Sequence, residues 1–412
     1  MPQTALTTHA HAVALRVFTP RRLRLYPLAT LAGAAIGFVV FLAASDGLRS
    51  AFGGRVGGDF PAFYSAARII RSGDWKAMYD SAALQRAQAA FFPDEPGGWL
   101  TFPYPPFVAA AYVPLTIFSF KTAYVLHSSI MAACSVGALA LLVPVLPQLR
   151  RSFVPCAAAT LTFYPLWRAA MGGQNTAVSF LCAAGTAAAL AAGKDVIAGL
   201  WLGAWLFKPQ LALPIMVVVA LAGHPKVFAG AAMGAVTLYG IGALVTEPSW
   251  PFWWLRDIAV PYAAAGLAPD LHNGASITEV ARELGLPAFG WIAIAVVVVV
   301  TLRTVWQTKP TPSVLLAIAS PFAVLVSPHA LFYEAGLAIV ALLVCVGIWG
   351  RPIVPLVFAL WAAAAFEPMR AHLPLPPSTI VLFGSLVLSI WIARYANDRR
   401  PVVADPTPCA IA

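Results

Sequence analysis

Long apolar runs separated by short polar turns occupy most of the chain. The first run extends from about Leu25 to Ala44 and is followed by a mixed region that continues to Thr101. Several runs approach the roughly 20 apolar residues that a helix needs to cross about 30 Å of hydrocarbon. Runs such as Ala293 to Val300 do not alternate as the strands of a membrane barrel would. The pattern therefore predicts an all-α polytopic bundle of transmembrane helices.

We expect about twelve spans from this pattern. After Leu25–Ala44 comes a short piece with Pro114 inside it, residues 103–118. The remaining predicted spans are Thr122–Leu146, Phe153–Ala170, Thr176–Ala192, Val196–Phe207, Gln210–Ala222, Val227–Val245, Ala288–Leu302, Ser313–Val326, Leu331–Trp349, Ile353–Phe366 and Ser378–Tyr395.

Arginine and lysine positions indicate the topology, because basic residues collect on cytoplasmic loops. Arg16, Arg21, Arg22 and Arg24 precede the first run, which we interpret as a retained anchor with a cytoplasmic N-terminus. Residues 103–118 either cross the membrane or dip in and return. Only the returning arrangement keeps the Arg150–Arg151 pair in the cytoplasm, so we favour it.

A second ambiguity lies at Lys208–Pro209. The apolar runs on either side are two short spans or one kinked helix, and the single helix would reverse every later loop. We favour two spans, because the later basic residues Arg303, Lys309, Arg351, Arg394, Arg399 and Arg400 then fall in the cytoplasm.

These assignments divide the chain into a cytoplasmic tail 1–24, a transmembrane domain 25–396 and a cytoplasmic tail 397–412. Two outer segments interrupt the domain, 45–104 and 247–287. In the first, Ala62–Ile70 and Ala82–Phe92 have the mixed composition of helices lying on a membrane surface.

Charge and cysteine content narrow the class of protein further. Charged residues make up 10% of the chain, against about 25% in soluble domains. The net charge of +10 fits cytoplasmic loops on anionic lipid better than nucleic-acid binding. The five cysteines have no metal-ligand spacing. Because phosphate-cradling loops and soluble-hydrolase motifs are missing from the sequence, we expect substrates that reside in the membrane.

The predicted topology brings several polar groups to the outer face, where their cost is offset by water or partners. They are Asp59, Tyr104, Arg168, the Gly172–Asn175 turn, Lys208, His272, Asn273 and His329. Each also has a purely structural interpretation. Asp59 would cap a surface helix, Gly172–Asn175 would be an ordinary turn, Lys208 would reach the interface, and His329 would pack.

Three further groups on the outer segments have structural interpretations. Arg256 and Asp257 form a loop pair. Glu279, Arg282 and Glu283 lie on the solvated face of a short helix. The cluster Trp250, Trp253 and Trp254 either covers a site or forms an interfacial aromatic belt, which we favour.

Short motifs occur in a characteristic order along the chain. They are Gly58-Asp59-Phe60, Tyr64, Ala66-Ala67, Gly73, Tyr79-Asp80, Tyr104-Pro105-Pro106, Gly173-Gln174-Asn175, Lys208-Pro209 and Ser327-Pro328-His329. In this order they resemble the family-87 glycosyltransferases of the GT-C class. That group includes enzymes that add α-1,2-mannose to phosphatidylinositol mannosides. The resemblance extends from about Asp46 to Tyr395.

The resemblance implies transfer of a sugar from a polyprenyl-phosphate carrier to a lipid or glycolipid acceptor, with inversion, at the outer face of the plasma membrane. It implies that Asp59 is the catalytic base. Lys208, His329 and Arg168 would bind the donor phosphate. Tyr104, Gln174, Asn175, His272 and Asn273 would bind sugar or acceptor. No cofactor or metal is expected.

Two points remain open at this stage. Family members more often have Asp near the position of Glu334, so that residue receives no role. A transporter or flippase of lipid-linked sugars is the alternative function. It should show related halves and polar residues at mid-membrane, whereas the polar residues here gather at one face.

Overall fold

The computed structural model describes residues 16–50, 54–93, 98–265 and 273–398. Within these ranges the chain is helical, and its extended pairing consists of isolated bridges. The α-helices are α1 Pro20–Ala43, α2 Phe60–Arg71, α3 Ser81–Ala89, α4 Pro106–Tyr112, α5 Phe120–Leu142, α6 Phe153–Leu161, α7 Tyr164–Met171, α8 Thr176–Ala191, α9 Asp195–Ala204, α10 Pro209–Leu221, α11 Val227–Val245, α12 Trp250–Trp254, α13 Val260–Ala265, α14 Ile277–Glu283, α15 Pro287–Thr308, α16 Pro312–Val326, α17 Ala338–Trp349, α18 Val354–Ala363 and α19 Pro377–Asp398.

Among the described residues, seven helical segments are long and apolar enough to cross a membrane, which confirms the predicted class of helical membrane protein. They are Pro20–Ala43, Phe120–Leu142, Val227–Val245, Pro287–Thr308, Phe332–Trp349, Arg351–His372 and Pro377–Tyr395. Five other apolar segments have only 10–17 residues. At 1.5 Å per residue a straight helix of that length is shorter than about 30 Å of hydrocarbon. The further spans that would bring the count to about twelve stay a prediction.

Two helices begin or break where the sequence pattern did not place a boundary. Helix α1 starts at Pro20, inside the predicted tail, because the Thr19 hydroxyl accepts from the Arg22 amide and Pro20 occupies the first turn. The predicted span Phe153–Ala170 is divided into α6 and α7 at Thr162. Pro165, in the first turn of α7, marks the restart.

The chain reverses direction at Lys208. Asp195, the first residue of α9, and His224, just after α10, are 3.0 Å apart between Oδ1 and Nδ1. Gly199 in α9 faces Gly230 in α11, where an added Cβ would come within 2.9 Å of Gly230 Cα. Helices α9 and α11 therefore run side by side from the same end. The intervening α10 must return to that end, which rules out a single kinked helix.

Both ends of the piece 103–118 contact the surface helices that follow α1. The Tyr79 hydroxyl donates to the carbonyl of Tyr104 at 2.8 Å. At the other end the Tyr64 hydroxyl donates to the carbonyl of Phe118 at 2.8 Å. Between these two contacts the piece forms one short helical segment, Pro106–Ile117, packed against α2, and the choice between a crossing and a returning arrangement stays a prediction.

Basic segments gather at the end of the bundle away from Gly172–Asn175. Arg351 donates to the carbonyl of Phe18 at 3.2 Å, and Arg394 donates to Thr304 at 3.1 Å. Trp349 stacks on Trp391 with ring centroids 4.8 Å apart, which joins these segments. Helix α8 starts beside Asn175 and ends at Ala191, so the following turn also lies away from Gly172–Asn175.

Candidate active site

A cavity of about 570 Å³ opens at the end of the bundle where α2, α7, α8 and α10 begin or end. Its walls come from segments far apart in sequence. The polar and charged residues lining it are Asp59, Thr101, Tyr104, Arg168, Gln174, Lys208, Gln210, Tyr262, Asn273, His329, Tyr333 and Glu334. Seven of the nine residues predicted from the sequence are among them.

Two glycine turns pressed together fix the position of Asp59. The Asp59 amide donates to the carbonyl of Gly172 at 2.8 Å. Gly173 has φ +75°, and an added Cβ there would lie 2.3 Å from the amide nitrogen of Phe60. A side chain at either turn would push the two backbones apart. The contact between the Gly57–Gly58 and Gly172–Gly173 pairs thus places the Asp59 carboxylate beside Gln174, the residue that follows Gly173.

The Asp59 side chain does not cap α2, although Asp59 occupies the capping position. Instead Oδ2 accepts a hydrogen bond from Gln174 Nε2 at 2.7 Å. The Tyr104 hydroxyl donates to Gln174 Oε1 at 3.1 Å. The Gln174 amide therefore turns its oxygen toward Tyr104 and its nitrogen toward Asp59. The capping interpretation is wrong, and the carboxylate is available to the cavity.

Burial raises the pKa of Asp59 above the ordinary aspartate value. The Gln174 hydrogen bond and the charges of Arg55, Arg168 and Lys208 oppose that rise. A carboxylate with a raised pKa accepts a proton more readily near neutral pH. The environment of Asp59 is thus compatible with a general base.

Lys208 is buried, with 3% of its side chain exposed, and pairs with Glu334. It lies at the break before Pro209, where its φ of −131° takes it out of the helices. Glu334 received no role from the sequence, because family members more often have aspartate near this position. A physical signal was available: a carboxylate at the start of a membrane span needs a cationic partner.

His329 lies in the loop before the span Phe332–Trp349, and its Nδ1 is 2.6 Å from Glu279 Oε1. Glu279 Oε2 accepts from the Ser276 hydroxyl at 3.0 Å and from the Ala330 amide at 3.1 Å. Gly274 makes room for this carboxylate, since a Cβ there would lie 2.5 Å from the Glu279 side chain. The predicted solvated position of Glu279 is therefore wrong.

Glu283, the last residue of α14, is exposed as predicted, but its carboxylate has a partner. Glu283 accepts two hydrogen bonds at 2.7 Å from Arg370, which is itself buried.

Arg256 and Asp257 do pair, at 2.6 Å, but they lie in a helical segment and not in a loop. Only their pairing agrees with the sequence-based interpretation.

The tryptophan cluster packs against neighbouring side chains, and its place in an interfacial belt stays a prediction. Trp250 is buried, with an edge contact to Phe107 at 5.8 Å. Trp253 stacks on Trp75 at 5.1 Å. Trp254 lines the cavity and donates to the carbonyl of Pro103 at 3.1 Å. Of the three tryptophans, Trp254 therefore contributes directly to the cavity wall.

The other predicted site residues divide into three cases. Arg168 and Asn273 line the cavity. Asn175 is buried behind the lining, and its Oδ1 has no hydrogen-bond partner among the described residues. His272 lies outside the described residues. Within the described ranges no three His, Cys, Asp or Glu side chains are placed to hold a metal ion together.

Comparison with known proteins gives one family. The sequence model of glycosyltransferase family 87 matches residues 102–328, more than half of the chain. No curated protein matches the chain. The matched range includes Tyr104, Arg168, Gln174 and Lys208. The segment with Asp59 and the one that starts at His329 lie outside it, and the cavity joins them to the matched part.

Proposed function

The chain belongs to glycosyltransferase family 87 and is a membrane glycosyltransferase, and we propose that it transfers a hexose, mannose, from a polyprenyl-phosphate carrier. The acceptor is a lipid or glycolipid. One observation carries the proposal: a single cavity holds the partly buried carboxylate of Asp59 together with the cationic residues Lys208 and Arg168 and the imidazole of His329. Inverting transfer to a hydroxyl requires that combination of a base and groups that bind phosphate.

The base in this proposal is Asp59. An acceptor hydroxyl approaches the carboxylate, and its oxygen forms a bond to the anomeric carbon. The bond from that carbon to the carrier phosphate oxygen breaks, and the hydroxyl proton passes to Asp59. Attack opposite the leaving group inverts the anomeric centre. Gln174 holds Oδ2, which leaves Oδ1 to receive the proton.

The departing polyprenyl phosphate gains negative charge as the bond breaks. Arg168, Lys208 and His329 are the groups in the cavity that stabilise it. With Nδ1 of His329 beside Glu279, Nε2 is the nitrogen that faces the substrate in this proposal. Lys208 shares its charge with Glu334, so the phosphate competes with that carboxylate for the ammonium group.

Neutral side chains position the sugar and the acceptor in this scheme. Tyr104, Gln174 and Asn273 line the cavity and carry hydroxyl or amide groups suited to sugar hydroxyls. Asn175 supports the Gly172–Gln174 turn from behind, and His272 retains its sequence-based assignment. The chemistry uses no cofactor, and we expect chelators to leave the rate unchanged.

We place the cavity on the extracytoplasmic side of the plasma membrane. Basic segments near Phe18, Arg351 and Arg394 lie at the opposite end of the bundle, and such residues favour the cytoplasm. This orientation puts both termini in the cytoplasm. A polyprenyl-phosphate sugar and a lipid acceptor then both reach the cavity from the outer leaflet.

The test of this proposal is transfer of labelled mannose from synthetic polyprenyl-phosphate-mannose by the full chain in liposomes that contain membrane lipid acceptors. We expect a labelled glycolipid to form, at the same rate with a chelator present. Movement of the labelled donor across the bilayer without a glycolipid product would contradict transfer and favour a flippase.

A further inference from the structure

A second pocket, of about 790 Å³, lies beside α2 and is open to the surface. Helix α2 contributes to both pockets. Ala62 and Phe63 line the cavity of the active site, whereas Tyr64 and Arg68 line the second pocket. Because Asp59 directly precedes α2, a ligand in the second pocket contacts the helix that starts beside the proposed base.

Three basic side chains and no acidic side chain are among the described residues that line this pocket. Arg68 lies 5.3 Å above the ring of Phe91. Arg71 donates to the Thr116 hydroxyl at 3.1 Å, and Lys121 donates to the carbonyl of Leu42 at 2.9 Å. Their described contacts are to neutral groups, so the pocket keeps a positive charge that attracts an anion.

The pocket lies where two candidate spans end. Lys121 is in the first turn of α5, and its partner Leu42 is in the last turn of α1. Both helices qualify as membrane spans. The three cations therefore sit at the depth where hydrocarbon gives way to lipid head groups. Phe120 and Leu48 add apolar surface beside them. A lipid that carries both a phosphate and acyl chains requires such a combination of charged and apolar groups.

We propose that this pocket binds the phosphate of an anionic membrane phospholipid. Basic pockets next to membrane helices suit such head groups, and guanidinium groups bind phosphate oxygens in pairs. The bound lipid contacts α2, the start of α5 and Leu48 in the segment after α1, and thereby holds α2 in place. The site is separate from the cavity, so its occupancy does not depend on the sugar donor or the acceptor.

Titration of the purified full chain with short-chain phosphatidylglycerol, followed by thermal unfolding, tests the proposal. We expect phosphatidylglycerol to raise the Tm, and phosphatidylcholine or inorganic phosphate at equal concentration to raise it far less. In Arg68→Gln/Lys121→Gln, which leaves the Arg71–Thr116 contacts, the apparent Kd should rise roughly thirtyfold. Each basic residue near an anionic head group contributes about 1 kcal/mol to binding. Because about 1.4 kcal/mol changes Kd tenfold, the loss of two such residues raises Kd by roughly that factor of thirty.

The matched control is Arg86→Gln on α3, an exposed arginine outside the pocket. It should bind phosphatidylglycerol like the wild type. A second variant, Arg68→Glu, changes a side chain whose described contact is the Phe91 ring, and it should weaken binding without unfolding the protein. The proposal is overturned if both pocket variants keep the wild-type Kd, if Arg86→Gln weakens binding equally, or if inorganic phosphate matches the lipid.

Discussion

Gln174 controls the charge of Asp59, and its hydrogen bond gives a test at the scale of one residue. The bond favours the ionised carboxylate and so lowers a pKa that burial has raised. Activity that needs the ionised base falls as pH drops through this pKa. In Gln174→Leu the pKa rises further, so the acidic limb of kcat/KM should move to higher pH. A pH profile of transfer measures this shift.

Tyr104→Phe is the control for that profile. It removes the hydroxyl that donates to Gln174 Oε1 and leaves the bond from Gln174 to Asp59. We expect its acidic limb to stay near the wild-type position, even if the rate falls. A limb that moves equally in both variants would mean that Gln174 does not tune Asp59.

Lys208 and Glu334 form the second test at this scale. Both side chains are buried, and removing one partner of a buried pair leaves an uncompensated charge. Glu334→Leu should lower the free energy of unfolding by about 3–5 kcal/mol. Lys208→Met/Glu334→Leu should recover most of that loss while transfer stays low. Chemical unfolding of the three proteins gives the comparison, and a double variant as unstable as the single would contradict it.

At the scale of elements, the contact between the two glycine turns decides whether Asp59 is in place. Gly173→Ala would put a Cβ 2.3 Å from the Phe60 amide nitrogen. The turns must then separate, and a shift of about 1 Å can cost roughly a hundredfold in rate. We expect a loss of that size in the transfer assay.

Gly193→Ala provides the matched control for Gly173→Ala. Gly193 also has positive φ, +68°, but an added Cβ there would meet nothing within 4 Å. It carries the same backbone strain without the contact, and we expect transfer near the wild-type rate. Equal losses in the two variants would assign the effect to backbone strain and not to the position of Asp59.

The elements also show what the sequence could predict. Val227–Val245 has the same bounds in the prediction and in the structure, because an uninterrupted apolar run between polar turns marks both ends. The division of Phe153–Ala170 at Thr162 was missed, although Pro165 signals a helix start. Within a hydrophobic run a proline is compatible with either a kink or a break, and only packing decides between them.

Most of the site residues expected from the sequence line the cavity, whereas the charged pairs beside them were missed. Asp59 and Gln174 were identified as single polar residues beside glycine pairs. The Lys208–Glu334 pair joins positions 126 residues apart, and Glu279 reaches His329 across 50 residues of chain. Such pairs depend on how the helices pack, and periodicity and composition carry no information about that.

At the scale of the whole molecule, the opposed positions of the basic segments and the cavity predict the orientation. In a cysteine-free background, Leu286→Cys lies at the cavity end and Lys309→Cys at the basic end, both on exposed residues. A membrane-impermeant maleimide should label position 286 in intact cells and position 309 only after permeabilisation. The reverse pattern would place the cavity in the cytoplasm and contradict the proposed topology.

The role of Asp59 as the base is the central claim, and one comparison tests it most directly. Transfer from polyprenyl-phosphate-mannose is measured for the wild type, Asp59→Asn and Asp80→Asn. Asp80 caps α3 by accepting from Ala83, a role that asparagine also fills. We predict a loss of at least about a hundredfold for Asp59→Asn, the scale of a positioned base, and near-normal transfer for Asp80→Asn. Transfer by Asp59→Asn close to the wild-type rate would contradict the account.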